Sequence, residues 1–228
     1  DSTNTLHYLS SLKSVPDPVA RTLVSYRKKL KKLTENCINY IPDEAWQSSM
    51  VEVEQSVEIL KLFKFIDNLL ILCPQRYGPW GVNKIHEFLL GKRFEKEVHK
   101  WVEGTPIMAK SNQPEIGLAN GDVGIIIGNG EKRRFLFNVF SEEQRLVTRL
   151  INPSRLNRYD AAYAMTIHKA QGSEADQVLL LWPTTSKVSE EKTFNKFYSD
   201  DYEKRMLYTA ITRAKKQLLV ITNKEEDF

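Results

Sequence analysis

Asn68-Leu69-Leu70-Ile71-Leu72-Cys73-Pro74-Gln75-Arg76-Tyr77-Gly78-Pro79-Trp80-Gly81 begins with a continuous apolar run of strand length. A strand that lacks polar alternation must be buried on both faces, as in a parallel sheet. The Pro and Gly content after Cys73 marks a loop. A helix is predicted from Val82 to Leu90, with Gly91 as its C-terminal stop. Strand, loop and helix in this order form one α/β unit.

Outward from this unit the texture changes twice. Upstream, Asp17-Pro18 opens a helix, Asp as cap and Pro at the first helical position, and the helix is predicted to run to about Glu35. A second helical stretch is predicted to carry Val53, Val57, Leu60, Phe63 and Ile66 on one face. Downstream, TPIMAKS, DVGIIIG, RRFLFNVF and QRLVTRLI are short strand-like pieces between Thr105 and Tyr159. Asn120-Gly121-Asp122 and Gly128-Asn129-Gly130 are turn signals between them. Strands so closely spaced predict a small antiparallel barrel. Beyond it the α/β texture returns. Ala161 to His168, Gln177 to Trp182 and Gln217 to Thr222 read as strands, Tyr202 to Ala214 as a helix, and polar Ser186 to Asp201 as a mobile loop.

The composition suits this reading. With 228 residues, 41% of them apolar and 27% charged, the chain can bury a sizeable core, and wholesale disorder is excluded. Leu69 to Cys73 and Val178 to Trp182 are the best apolar runs, and neither approaches membrane-spanning length. The start, Asp1-Ser2-Thr3-Asn4-Thr5, has no signal-peptide pattern and no Met, so we expect a piece of a longer, cytoplasmic protein. Cys37 and Cys73 have no metal spacing and read as two reduced thiols. A net charge of +4 suits a nucleic-acid partner without requiring one. The dense basic run Arg21, Arg27, Lys28, Lys29, Lys31 and Lys32 has Leu23, Tyr26, Leu30 and Leu33 between its members, and reads as a solvated helix face.

Three stretches hold more polar residues and glycine at element ends than a core needs: Pro74 to Gly81, Met165 to Glu174 and Leu207 to Ala214. In parallel α/β sheets ligands bind beyond the carboxyl ends of the strands. Arg76 and Arg213 can each present a permanently charged planar fork to phosphoryl oxygens. Thr166, His168 and Lys169 offer short donors to an anion, and Glu174 can accept from a ribose hydroxyl. Each has an ordinary alternative: a surface arginine, a structural histidine, a first-turn helix acid. No G-x-x-x-x-G-K-[ST] occurs; Gly91-Lys92-Arg93 lacks the upstream glycine and the hydroxyl residue. Pro42-Asp43-Glu44 reads as a first helical turn, not as a metal pair.

These residues resemble a known family. TIHKAQGSEADQVLLLWP (Thr166 to Pro183) resembles helicase motif V, and MLYTAITRAKKQLLVIT (Met206 to Thr222) motif VI, of superfamily 1 enzymes of the 5′→3′ class. ILCPQRYGPWGVNKIHEFL (Ile71 to Leu89) looks like motif IV in its RecD-like form. GTPIMAKSNQPEIGLANGDVGII (Gly104 to Ile126) looks like the start of the SH3-like barrel these helicases insert in their second RecA-like domain. The resemblance runs from about Val51 to the end of the chain. It implies an α/β fold: a RecA-like parallel-sheet motor domain over 51–104 and 160–228, an inserted SH3-like barrel over 105–159, and a helical segment over 1–50.

The resemblance also implies roles. Arg213 would be the arginine finger, and Arg76 a second arginine on the γ-phosphate. Gly172 and Glu174 would lie near the nucleotide, with Gln171 linking it to DNA. Thr166 and His168, more weakly Lys169, would touch the single-strand backbone. Asn112 and Asn120 match the barrel's pattern, though a turn explains Asn120-Gly121 equally. His86 and Ala175 depart from the family's usual Asn and Phe. ATP and Mg²⁺ would be used with a P-loop and metal ligands from a preceding motor domain. Single- and double-stranded DNA and RecB-like and RecC-like subunits would be partners, with no membrane, in an exodeoxyribonuclease V complex. Rival readings are a stand-alone RecD-like or relaxase-type helicase, and a non-catalytic DNA-binding module.

Overall fold

The computed structural model describes residues 5–8, 15–141, 143–183 and 200–223. In chain order its elements are β1 (Thr5–Tyr8), α1 (Asp17–Ile38), β2 (Met50–Val53), α2 (Val57–Asn68), β3 (Leu69–Cys73), α3 (Val82–Leu90), β4 (Pro106–Ala109), β5 (Val123–Ile127), β6 (Arg134–Phe140), β7 (Leu146–Ile151), β8 (Tyr159–Ala161), β9 (Met165–Thr166), β10 (Ala175–Trp182), α4 (Asp200–Ile211) and β11 (Ala214–Thr222). They form two compact units, one of 1–19, 67–88 and 164–228, the other of 20–66 and 89–163.

The first unit holds a five-stranded sheet in the order β1-β11-β10-β3-β9. Every neighbouring pair is parallel. Leu70, Leu72, Val178, Leu180, Leu218 and Val220 pack on one face with Ile167 and Ala170 and with Met206 and Ala210 of α4. The alternate residues Ile71, Cys73, Leu179, Leu181 and Ile221 are buried as well. Burial on both faces is why these strands read as unbroken apolar runs. α3 occupies the predicted Val82–Leu90, and Gly91 follows it at φ +92°. Buried His86 on α3 accepts at Nε2 from the Ala164 backbone N–H, 3.4 Å, so the residue that departs from the family pattern ties α3 to the approach to β9.

The second unit holds a six-stranded sheet, β2-β7-β6-β5-β4-β8, antiparallel at every pairing. Its ladder ends at β2 and β8, with no pairing between them among the described residues. Phe135, Phe137, Ile107, Ile126 and Ile151 share a core with Phe94, Trp101 and Leu156. α1 forms where Val19, Leu23, Tyr26, Leu30 and Cys37 recur at helical spacing, and all five are buried.

Several expectations need correction. Residues 1–50 are not wholly helical, because β1 adds a parallel edge strand beside β11. Val53 belongs to β2, not to a helix. α2 buries Ile59, Leu62, Phe63 and Ile66, while Val57 and Leu60 are exposed. Ala161 to His168 is not one strand: Ala161 ends β8 in the antiparallel sheet, and Met165–Thr166 form β9 in the parallel one. The helix expected over Tyr202 to Ala214 ends at Ile211, and the last strand begins at Ala214. The expected loop at 186–199 lies outside the described residues; Asp200 and Asp201 open α4. Among the described residues no helix is long and apolar enough to cross a membrane.

Two outcomes follow. A Cβ built on Gly124 of β5 would lie 2.6 Å from both the Leu136 carbonyl oxygen and a Phe137 ring carbon on β6. Gly124→Ala should therefore cost about 1–3 kcal/mol in urea unfolding, the range of an overpacked core; an unchanged midpoint would contradict this packing. Burial lifts the Cys37 thiol from 9.0 to about 12, helped by the Glu58 charge, and raises Cys73 further. An upward shift empties the thiolate form, so both thiols should resist a disulfide reagent at pH 8 in the folded chain and react promptly in urea.

Candidate nucleotide and nucleic-acid site

The candidate residues of the first unit collect at two ends of its parallel sheet. β3 and β9 run side by side, with Cys73 level with Thr166. Beyond these carboxyl ends lie the loop with Arg76 and the turn that begins at Ile167. The Ile167 N–H donates to the Cys73 carbonyl, 3.1 Å, and the N–H groups of Lys169 and Ala170 both donate to the Thr166 carbonyl. Ile167 and Ala170 are buried, which turns His168 and Lys169 outward; both are exposed and Thr166 is half-buried. His168 Nε2 lies 2.5 Å from the Tyr202 hydroxyl on the first turn of α4. The Arg76 guanidinium lies 5.9 Å from the centre of the Tyr77 ring.

The chain then passes to the opposite edge of the sheet. Gln171, Gly172, Ser173 and Glu174 are exposed, and Gly172 adopts φ +87° with open space around its Cα. A side chain there would not clash, but it would have to hold a left-handed backbone, at a cost of about 1–2 kcal/mol. At this edge Ala175 pairs with Ala214, and the Ala175 N–H donates to the Arg213 carbonyl, 3.0 Å. Arg213 binds the end of its own helix and the crossing strand together. Its Nε donates to the Thr209 carbonyl at 3.2 Å, Nη1 to the Ser173 carbonyl at 3.3 Å, and Nη2 to the Thr212 hydroxyl at 3.3 Å. Glu174 pairs with Lys215 at 3.4 Å, with both side chains about half exposed.

Arg76 and Arg213 therefore do not meet. Leu72 is level with Leu180, so Arg76 leaves the sheet beyond Leu181, whereas Arg213 sits just before the level of Ala175. The stretch from Ala175 to Leu181 separates these levels by about 20 Å at the rise of a strand. The resemblance implies that both arginines act on one phosphoryl group; strand order, which no short motif encodes, sets their backbones at opposite ends of the sheet. Arg76 shares its edge with Thr166 and His168, and Arg213 shares its edge with Gly172 and Glu174.

Asn112 and Asn120 belong to the second unit. The Asn112 side chain accepts from the Asn120 N–H at 2.8 Å, and Asp122 Oδ2 accepts from the Ala119 N–H at 2.7 Å. These bonds close the turn before β5 and use the Asn112 carbonyl oxygen for folding. A cleft of about 410 Å³ in this unit lies beside Arg149, which donates to the Ile116 and Gly117 carbonyls and pairs with Glu52 at 3.1 Å. None of the candidate residues lines it. Among the described residues, no group of three or more His, Cys, Asp or Glu is suited to a metal ion. Reading the sequence overlooked Tyr202, Lys215 and the Ser173 carbonyl. Only the helical spacing of Tyr202 from Met206 and Ala210, which puts all three on the core face, hinted at one of them.

Comparison with known proteins gives the following similarities. The family model described as the UvrD-like helicase C-terminal domain matches residues 161–221, from the end of β8 into β11. The chain is 28% identical over 208 residues to the RecBCD enzyme subunit RecD of Buchnera aphidicola subsp. Acyrthosiphon pisum, covering 88% of this chain and 31% of that one. To RecD of Haemophilus influenzae it is 27% identical over 229 residues, covering 96% and 31%. To RecD of Mycolicibacterium smegmatis it is 31% identical over 160 residues, covering 68% and 25%. Among solved structures it resembles the Pif1 helicase from Bacteroides in complex with ADP-AlF3 and ssDNA, at 15% identity and a TM-score of 0.40, covering 83% of this chain and 48% of that one. The chain thus spans about a third of the length of the RecD relatives it matches. On these similarities the chain resembles RecD subunits over part of their length, and within it residues 161–221 resemble a UvrD-like helicase C-terminal domain.

Proposed function

We propose that these 228 residues are the C-terminal part of an ATP-dependent 5′→3′ DNA helicase subunit of the RecBCD type, acting in double-strand break repair and recombination. The parallel-sheet unit is its second RecA-like motor domain, and the six-stranded antiparallel sheet is the inserted SH3-like barrel. DNA and RecB-like and RecC-like subunits are the partners, in the cytoplasm. The observation that carries this reading is the pair of polar clusters at opposite edges of one parallel sheet, which apart from Arg76 lie inside the residues that match a helicase C-terminal domain.

Each edge has a chemistry. Phosphoryl transfer is catalysed mainly by positioning and charge stabilisation. Arg213 supplies a permanent charge in a planar fork, Gly172 lets the backbone approach a phosphate, and Glu174 can accept from a sugar hydroxyl. These residues fit one side of a bound nucleoside triphosphate. They provide neither a phosphate cradle nor metal ligands, and we assign the P-loop and the Mg²⁺ ligands to another motor domain. At the other edge Thr166, His168, Lys169 and Arg76 offer donors to a strand's phosphates. Contacts of that kind hold nucleic acid without reading its bases, which translocation requires. Gln171 lies on the chain between the edges.

The rival helicase reading, a motor that acts without RecB-like and RecC-like subunits, separates from this one by co-purification. For a non-catalytic module, Arg213 would serve only to fasten Ser173 to α4.

Arg213→Ala in the intact protein is expected to abolish ATP hydrolysis while ATP still binds, measured as turnover beside nucleotide affinity. Near-normal turnover would leave Arg213 a structural clasp and contradict the finger role. The isolated chain should hydrolyse no ATP; turnover by a clean preparation would refute the division of the site between two domains.

A further inference from the structure

We propose that Tyr202 is a positioning residue for His168, fixing the imidazole so that Nδ1–H is the donor aimed at a nucleic-acid phosphate; this rests on the reading of His168 as a DNA contact. His168 is exposed and sits two residues past the end of a two-residue strand. An imidazole in such a place has several rotamers and two tautomers available. The Tyr202 hydroxyl removes that freedom. It lies 2.5 Å from Nε2, and the two rings approach with centroids 6.0 Å apart at an interplanar angle of 42°.

The tyrosine is itself anchored. Its ring packs against the core that contains Met206 and Ala210, one and two turns further along α4, and Ile167 and Ala170 on either side of the histidine. The buried core thus sets the position of an exposed ring through a single hydroxyl. When that hydroxyl donates to Nε2, the neutral imidazole keeps its proton on Nδ1. A second group bonded to one ring nitrogen deciding what the other can do is the logic of orienting partners in metal and catalytic histidine sites.

The test is Tyr202→Phe, which keeps the ring and removes the hydroxyl. Two readouts in the intact protein decide. With histidine-selective ¹⁵N labelling, the native protein should show His168 as the Nδ1–H tautomer, and Tyr202→Phe should shift it toward Nε2–H. A tautomer unchanged by the substitution overturns the proposal, whatever His168 binds. In ATPase assays with single-stranded DNA, Tyr202→Phe should raise the DNA concentration for half-maximal stimulation about 5-fold, the scale of one ordinary hydrogen bond. Turnover at saturating DNA should stay within about twofold. Combining it with His168→Ala should give no further loss, since the hydroxyl acts only through the imidazole. If His168→Ala weakens DNA stimulation and Tyr202→Phe does not, the positioning role is wrong and the DNA contact stands. If neither substitution has an effect, the DNA contact falls and the proposal with it.

Discussion

The crossover from β9 to β10 is the constraint on which the site depends. Thr166 ends one strand at the carboxyl edge of the sheet, and Ala175 begins another at the amino edge, on the far side of β3. Residues 167–174 must cover that distance. Fully extended, they reach about 30 Å, against about 20 Å along the strand direction alone. One tight turn takes up the slack, held by the Thr166 carbonyl and by buried Ile167 and Ala170. The remaining residues have no room to wander, so the polar side chains between these anchors are displayed at set places.

α4 fastens this crossover at both ends. Its first turn meets His168 through Tyr202, and the residues after its last turn meet Ser173 through Arg213. The helix runs from one edge of the sheet to the other because β11, which follows it, must start beside Ala175. The two polar clusters are therefore joined by two routes, the crossover and the helix. A motor that ties a chemical step to a contact with nucleic acid needs such a mechanical link. In the motor proposed above that link would be a helix packed on a sheet, with its side chains Met206 and Ala210 in the same core as Ile167 and Ala170.

Much of this was legible in the sequence, and the rest was hidden for physical reasons. Buried parallel strands announce themselves as unbroken apolar runs, so Leu69–Cys73 and most of Ala175–Trp182 could be read directly. α3 and its glycine stop could be read because caps and turns are local chemistry. β1 could not, because a four-residue strand gains its stability from β11, more than 200 residues away. Val53 looked like part of the helix that follows, because its spacing from Val57 and Leu60 fits a helical face although it ends β2. The residues of the candidate site were found by type and motif. Their arrangement was not, since Arg76 and Arg213 are separated by strand order, and order is a property of the sheet, not of any one segment. Tyr202 was overlooked as one more core-facing aromatic; its hydroxyl matters only because His168 lies against it.

The central claim is that the two edges of the parallel sheet serve one motor. The most direct measurement is the rate of ATP hydrolysis by the intact protein with and without single-stranded DNA, alone and with RecB-like and RecC-like subunits. The account predicts strong stimulation by DNA in at least one of these settings. Hydrolysis that ignores DNA in all of them, or no hydrolysis in any, would contradict it.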